Sequence, residues 1–308
     1  TYSFMYDDPL DLPRALGHSV WEMLTTAGQY TYYRPLTFLI WSAMHAILGR
    51  FDPFWFYLAP VAVNALNAAL VVLVLLPIAG RLRAVATGVL FATFPFTYQI
   101  VDGAVALGHT LVVCFVLATL LLYRGFQERR RPSLAVASLL TATLGFLSHE
   151  NGVTVAPLLL WYELVWRPGD ASTGRGSGDS AVLSRRTAGR WLLPALHVAL
   201  AGGYLAIYRA IPKVHAPFSV DLESVRLNGL YLLQGVLYWA VELAQQVAPE
   251  RIAVAGALAL SLALVLHAAH GSGRLALFTI GWSVLAWLPT LFALPFTYVI
   301  DAPRLLYL

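Results

Sequence analysis

The sequence predicts an all-α polytopic membrane protein. Of its 308 residues, 59% are hydrophobic and 12% are charged, and this charged fraction is about half that of an ordinary soluble domain. Several apolar runs reach the ~20 residues that a helix needs to cross the hydrocarbon core of a bilayer. A membrane β-barrel is excluded, because its strands alternate apolar and polar residues and do not produce runs of this length.

The basic residues are almost all arginine, and membrane topology explains them better than binding to nucleic acid. The chain has 20 Lys+Arg and 16 Asp+Glu, and Lys213 is its one lysine. Arginine and lysine accumulate in the cytoplasmic loops of membrane proteins, so a net charge of +4 does not require a nucleic-acid partner. We therefore expect membrane lipid as a partner and no nucleic acid.

The first 53 residues predict short helices at the membrane surface. Apolar side chains within 13–24 recur at helical spacing, which is typical of an amphipathic helix in the interface. The apolar run at 36–48 follows a tyrosine-rich segment and is too short to span easily, so we expect a juxtamembrane or re-entrant helix there.

The rest of the chain is a series of apolar runs separated by short polar breaks. Residues 167–190 are rich in Gly, Ser and Arg, which predicts a flexible loop. The run 227–247 contains Glu242 and is followed by Pro249, so we interpret it as a re-entrant or surface helix. Long apolar runs also lie at 54–79, 104–123, 191–211, 251–269 and 275–297, and shorter ones lie at 84–98, 133–147 and 152–166.

The arginines orient the chain in the membrane. Loops at 80–83, 124–132, 167–190 and 270–274 hold 12 of the 20 basic residues, which predicts that these loops are cytoplasmic. The opposite face then collects most of the polar residues that stand out in the apolar chain. These residues are Asp7, Asp8, Arg34, Asp102, His149, Glu150 and Arg304.

Two adjacent carboxylates, Asp7 and Asp8, are unusual in a chain with so little charge. A carboxylate on the outer face can deprotonate an acceptor hydroxyl or bind a hard cation. The alternative is a solvated acidic pair that caps the helix at 13–24. Arg34 also has two interpretations. A guanidinium is suited to binding phosphate, but an arginine at the interface also reaches lipid headgroups.

Three further polar positions have a functional and a structural interpretation. Ser148-His149-Glu150-Asn151 separates two apolar runs, and ionisable residues at membrane depth favour a functional site. Capping of a helix by Ser148, with Glu150 in its first turn, is the alternative. Gln99 is a poor base, and Asp102 is either a metal ligand or an acid at a helix start. His109 is more typical of a hydrogen-bonded histidine inside a bundle than of a catalyst.

The order of short motifs resembles the GT-C membrane glycosyltransferases. The similarity is closest to the protein O-mannosyltransferase branch that includes the TPR-bearing transmembrane members, and it covers nearly the whole chain. The motifs, in order, are Phe4-Met5-Tyr6-Asp7-Asp8, Tyr33-Arg34-Pro35-Leu36, Phe54-Trp55-Phe56-Tyr57, Asn64-Ala65-Leu66-Asn67-Ala68, Phe94-Pro95, Ser148-His149-Glu150 and Ala302-Pro303-Arg304-Leu305-Leu306-Tyr307-Leu308.

The resemblance implies one GT-C transmembrane domain over residues 1–308. Residues 1–53 would form the first outer loop with juxtamembrane helices, and the chain would lack the first helix and the C-terminal end of such a domain. The implied activity is an inverting transfer of a sugar from a polyprenyl-phosphate donor to a protein or glycan acceptor. It would occur on the extracytoplasmic face of the plasma (inner) membrane.

The resemblance also implies roles for individual residues. An acid in the first outer loop of this family is the catalytic base or a metal ligand, and Asp7 and Asp8 match that position. Basic residues near the membrane surface hold the donor phosphate, and Arg34 and Arg304 are the matching candidates. The supporting residues would be Asp102, His149, Glu150 and Gln99, and a divalent ion such as Mg²⁺ or Mn²⁺ would bind Asp7, Asp8 and Asp102.

Departures from the family pattern motivate a second hypothesis. The chain has Gln99, His149 and Pro303 where the family has Glu, Lys and Glu. A degenerate GT-C scaffold that serves as an accessory subunit of a larger membrane assembly would tolerate such changes. A transporter is a third interpretation, because acids and histidines line membrane segments. It is weaker, because these polar residues lie at helix ends on one face rather than at the membrane midplane.

Overall fold

A computed structural model gives the fold for residues 8–27, 32–94, 103–166, 180–213, 222–235, 249–270 and 273–291. All regular structure in these residues is helical, which confirms the all-α class. Within these described ranges, four helical segments are long and apolar enough to cross a membrane, in agreement with a polytopic membrane protein. They are Pro53–Ala79, Ala104–Arg129, Trp191–Ala210 and Gly273–Leu291.

The N-terminal part consists of three short helices, α1 (Asp8–Leu16), α2 (Val20–Thr25) and α3 (Pro35–Leu48). The helix expected over 13–24 is therefore divided in two. A new helix starts at α2 because Ser19 and Glu22 form a reciprocal capping box, with the Ser19 amide donating to Glu22 at 2.7 Å.

Helix α3 is anchored by aromatic packing. Trp41 is 1% exposed and its ring lies 5.6 Å from that of Phe38. Both side chains belong to a core cluster that includes Leu12 of α1 and Leu107. On α2, by contrast, Trp21 is exposed. This division of buried and exposed apolar side chains is typical of helices at a membrane surface.

Helices α4 (Pro53–Ala79) and α5 (Arg81–Thr93) form an antiparallel hairpin. The turn is a single residue, Gly80, whose φ of +79° lies in a region that glycine adopts at little cost. At the other end of α4, Asp52 accepts a hydrogen bond from the Phe54 amide at 3.1 Å and caps the helix. The apolar run predicted to 98 is helical only as far as Thr93 in the described residues.

The centre of the bundle is α6 (Leu107–Arg129), preceded by a 3₁₀ turn at Ala104–Ala106. It packs along α7 (Pro132–Ser148), which returns in the opposite direction. A second 3₁₀ turn, Glu150–Thr154, leads into α8 (Val155–Val165). Since α6 starts where α7 ends, the segments before α6 and after α7 meet at one end of the bundle. We call this the polar end.

The remaining helices are α9 (Ser180–Ala210), α10 (Leu222–Gly235), α11 (Pro249–His270) and α12 (Gly273–Leu291). Helix α9 begins at Ser180, so the last part of the range predicted as a flexible loop is helical. Residues 180–190 contain Ala, Leu, Ser and Arg rather than the Gly-rich sequence just before them, and they extend the apolar helix that follows. The predicted surface helix at 227–247 begins as α10, and residues 236–248 lie outside the described part.

A close backbone approach at the polar end predicts a glycine requirement. A Cβ on Gly152 would lie 2.7 Å from the carbonyl carbon and oxygen of Gly145 on α7, so one of the two backbones would have to move. We expect Gly152→Ala to lower the free energy of unfolding by about 1–3 kcal/mol, measured by thermal unfolding in detergent.

Gly202→Ala is the matched control, because a Cβ at Gly202 of α9 meets no atom within 4 Å. It should leave stability unchanged or raise it by up to ~1 kcal/mol through helix propensity. Equal effects of the two substitutions would contradict the packing argument.

Candidate functional site

Asp8 holds the 3₁₀ turn that leads into α6. Its two carboxylate oxygens accept hydrogen bonds from the backbone amides of Ala104 at 3.2 Å and Val105 at 2.9 Å. Amide groups at a helix start carry partial positive charge, which a carboxylate stabilises. Asp8 is fully buried, so it is not the solvated acid that one interpretation of the sequence favoured. It caps a helix, but one that lies 96 residues further along the chain.

Arg34 and Glu150 form a two-point ion pair across the polar end. Arg34 Nε donates to Glu150 Oε2 at 2.9 Å, and Arg34 Nη2 donates to Oε1 at 2.6 Å. Each side chain is 15% exposed. The guanidinium also stacks over the ring of Tyr32, 4.2 Å from its centroid. Parallel hydrogen bonds of this kind fix orientation as well as charge.

The pairing determines how both groups ionise. Burial disfavours the charged carboxylate, but Arg34 outweighs burial and holds the pKa of Glu150 below its ordinary value. Burial likewise disfavours the guanidinium, and Glu150 outweighs this effect and raises the pKa of Arg34. Both side chains are therefore charged at neutral pH, and each compensates the other.

Two histidines lie beside the ion pair. The rings of His109 on α6 and His149 are 4.3 Å apart between centroids. His149 Nδ1 accepts the amide of Asn151 at 3.1 Å, which places the proton of the neutral ring on Nε2. His149 thereby caps the 3₁₀ turn that starts at Glu150, while Ser148 instead donates from its hydroxyl to Leu144.

Helix α9 closes the polar end with tyrosines that the sequence analysis missed. Tyr204 donates to the carbonyl of Tyr33 at 3.4 Å, and the rings of these two residues stack with centroids 6.4 Å apart. Tyr208, one turn later, is buried. The i, i+4 spacing of the two tyrosines near the end of an apolar helix was the available signal.

Lys213 lies just beyond the end of α9. Its ammonium is 4.2 Å from the ring centroid of Tyr208, and it donates to the carbonyl oxygens of Tyr208 and Ile211. Burial lowers the pKa of Lys213. Lys213 was not among the predicted site residues and stood out in the sequence only as the single lysine of the chain.

Four of the predicted site residues meet at the polar end, namely Asp8, Arg34, His149 and Glu150. Thr37 links this region further, because its hydroxyl donates to the Ser148 carbonyl at 3.0 Å. The other predicted site residues lie outside the described residues. They are Asp7, Gln99, Asp102 and Arg304.

A metal site is not assembled within the described part of the chain. No group of three or more His, Cys, Asp or Glu side chains there is placed to hold a metal ion. Of the three residues predicted to bind a divalent ion, only Asp8 is described, and its carboxylate accepts backbone amides. The described residues alone therefore do not form the predicted site.

Comparison with known families finds a match to a segment that contains several residues of the polar end. Residues 34–175 match the family of dolichyl-phosphate-mannose-protein mannosyltransferases. The match covers a little under half of the chain, from Arg34 to just past α8, and it confirms the resemblance to GT-C membrane glycosyltransferases. No curated protein and no solved structure matches the chain.

The ion pair predicts a large coupling between Arg34 and Glu150. Removal of one partner leaves a mostly buried charge without compensation, so we expect Arg34→Met and Glu150→Gln each to cost up to about 3 kcal/mol of stability. The double variant should cost much less than the sum. A double-mutant cycle of thermal unfolding in detergent measures the coupling.

Arg226 and Glu223 on α10 provide the matched control, because they form the same two hydrogen bonds with about 60% of each side chain exposed. Water screens such a pair, so its coupling should be small. A coupling between Arg34 and Glu150 no larger than that of the control pair would contradict the buried geometry.

The lowered pKa of Glu150 predicts how the pair responds to acid. A depressed pKa contributes stability that is complete above the ordinary value of 4.5 and is lost as the pH falls through the lowered value. Wild type should therefore lose stability below about pH 4.5 more steeply than Glu150→Gln, in thermal unfolding at a series of pH values. Parallel curves for the two proteins would contradict this assignment.

Proposed function

We propose that the protein is a membrane glycosyltransferase that moves a sugar from a polyprenyl-phosphate donor to an acceptor, with inversion at the anomeric carbon. One observation carries the proposal, namely that four polar residues of the polar end lie within the segment that matches the mannosyltransferase family. Arg34, His109, His149 and Glu150 all belong to residues 34–175. Asp8 binds this segment directly through the amides at the start of α6.

We place the polar end on the extracytoplasmic side of the plasma (inner) membrane. The turn between α4 and α5, with Arg81 and Arg83, lies at the end of α4 away from Asp52, and the turn between α6 and α7 carries Arg129 and Arg130. Arginine-rich turns favour the cytoplasmic side. The polar end would then face the compartment in which a protein or glycan acceptor is presented.

Inversion requires a direct displacement. The acceptor hydroxyl oxygen attacks the anomeric carbon from the face opposite to the phosphate. The bond between that carbon and the phosphate oxygen breaks, and the polyprenyl phosphate leaves with the electron pair. A general base takes the acceptor proton, a contribution of typically 10²–10⁴-fold in rate. Positioning and charge stabilisation at the phosphate supply much of the rest.

We assign the base to the pair Asp7-Asp8, with Asp7 as the proton acceptor. Asp8 uses both carboxylate oxygens to hold the amides of Ala104 and Val105, which makes it a positioning residue. Asp7 precedes it in the sequence and is the other member of the acidic pair. His149, Glu150, Gln99 and Asp102 are proposed to support the site.

Arg34 is proposed to orient the donor phosphate rather than to supply its counter-charge. Glu150 occupies the edge of the guanidinium formed by Nε and Nη2. The Nη1 group, on the other edge, can still donate to a phosphate oxygen. Because the charge of Arg34 is compensated, a further cation is required, and Arg304 remains a proposed one.

Asp7→Asn tests the assignment of the base. The purified protein in proteoliposomes is supplied with a polyprenyl-phosphate-linked mannose and an acceptor peptide, and release of polyprenyl phosphate is measured. We expect Asp7→Asn to lower the rate by about 100-fold or more, because the amide cannot accept the proton. Asp8→Asn should chiefly lower stability, since its role is to hold α6.

Glu128→Gln is the control, because Glu128 is half-exposed near the end of α6 opposite to the site, where it pairs with Arg124. It should keep the wild-type rate. If Asp7→Asn transferred sugar as fast as wild type, the base assignment would be wrong. If wild type bound no donor and purified as a stable complex with other membrane subunits, the accessory-subunit hypothesis would replace the proposed activity.

A further inference from the structure

Lys213 is a cation whose contacts among the described residues are all neutral. Its ammonium donates to the carbonyl oxygens of Tyr208 and Ile211 and lies over the ring of Tyr208. The ammonium thus donates to carbonyl oxygens at the end of α9, a position where unpaired helix carbonyls favour a cation. None of the three contacts is with a carboxylate, so the positive charge is not compensated by its contacts in the described residues.

Arg34 differs from Lys213 in this respect. Its guanidinium forms two hydrogen bonds with Glu150, so the pair as a whole carries no net charge. An anion that approaches the pair meets a planar hydrogen-bond donor but little net attraction. An anion that approaches Lys213 meets a cation that, in the described residues, is held by two carbonyl hydrogen bonds. These are exchangeable for hydrogen bonds to a phosphate.

The end of α9 brings Lys213 to the same end of the bundle as the ion pair. Tyr204 donates to the carbonyl of Tyr33, the residue before Arg34. Tyr208 lies within electrostatic range of Arg34, and the Lys213 ammonium lies on the ring of Tyr208. Tyr208 thus contacts Lys213 and interacts electrostatically with Arg34. The polar end therefore offers an anion a charged donor from Lys213 and a planar donor from Arg34.

Burial makes an anionic partner favourable for Lys213. Its side chain is partly buried, and burial lowers its pKa because the charged ammonium loses water. A phosphate oxygen would replace the lost solvation more fully than the carbonyl dipoles do. The flexible four-carbon stem of lysine allows the ammonium to turn from the carbonyls toward the ligand.

We propose that Lys213 binds the phosphate group of the polyprenyl-phosphate donor and supplies the counter-charge that Arg34 cannot. The assignment rests on the proposed glycosyltransferase function. On donor binding, the Lys213 ammonium leaves the carbonyls of Tyr208 and Ile211 and donates to a phosphate oxygen. After the sugar is transferred, the same contact stabilises the additional negative charge on the leaving polyprenyl phosphate.

Binding of farnesyl phosphate tests the proposal. The wild-type protein in phosphatidylcholine nanodiscs is titrated with farnesyl phosphate and with farnesol, which has the same chain without the phosphate. Binding is followed by the fluorescence of the nine tryptophans. We expect Lys213→Gln to weaken binding of farnesyl phosphate by at least about tenfold, the typical effect of a hydrogen bond to a charged group. Farnesol binding should be unchanged.

Two further variants separate charge from folding. Lys213→Arg keeps the cation and should retain most of the affinity. Arg226→Gln removes an arginine that is exposed and paired with Glu223, and it should bind farnesyl phosphate as wild type does. In the transfer assay, Lys213→Gln should raise KM for the donor and also lower kcat, because the leaving group loses its counter-charge.

The outcomes distinguish failure of the proposed role of Lys213 from failure of the proposed glycosyltransferase function. Wild-type transfer with unchanged donor affinity in Lys213→Gln would overturn the role of Lys213 and leave the glycosyltransferase intact. Absence of both farnesyl phosphate binding and transfer in wild type would overturn the proposed function together with this inference. If phosphatidylglycerol in place of phosphatidylcholine removed the difference in farnesyl phosphate binding between wild type and Lys213→Gln, Lys213 would be a phospholipid headgroup site and the donor assignment would be overturned.

Discussion

The ion pair between Arg34 and Glu150 is the contact on which the polar end depends. It joins the start of α3 to the turn after α7, two segments 116 residues apart. A mostly buried pair is stable only if both partners remain in place, because either charge alone would be costly. The pair therefore sets the position of helix α3 relative to the bundle. The hydrogen bond from Thr37 to the Ser148 carbonyl follows from that position.

A second set of polar contacts crosses the bundle near its other end. Tyr123 donates to the buried carboxylate of Glu163 at 2.6 Å, and Gln127 donates to the Tyr123 hydroxyl at 2.7 Å. Ser138 on α7 and His197 on α9 hydrogen-bond at 2.8 Å in the same region. Side-chain hydrogen bonds thus link different helices near both ends of the bundle. Between them, Thr119 on α6 and Thr141 on α7 hydrogen-bond at 2.9 Å beside the apolar packing of α6.

Most of the charges at the polar end already have structural partners, which limits how they can serve a reaction. Asp8 holds α6, and Arg34 and Glu150 hold each other. A reaction at this end therefore needs groups that can contact a substrate without breaking interactions that stabilise the fold. Asp7 and Lys213 are proposed for these roles. His109 also favours the charged form of Glu150.

Local physical chemistry explains what the sequence alone determined. Apolar runs of about 20 residues predict spanning helices because each backbone must satisfy its own hydrogen bonds in the bilayer, and α4 and α6 follow that prediction. The candidates Asp8, Arg34 and Glu150 were also found from composition and motif order. Only the tertiary structure decided which groups meet, because a carboxylate is chemically suited to an amide, a guanidinium or a substrate alike. Packing of the helices pairs Asp8 with the backbone amides before α6 and Glu150 with Arg34. The path of α9 brings Lys213 to the same end of the bundle.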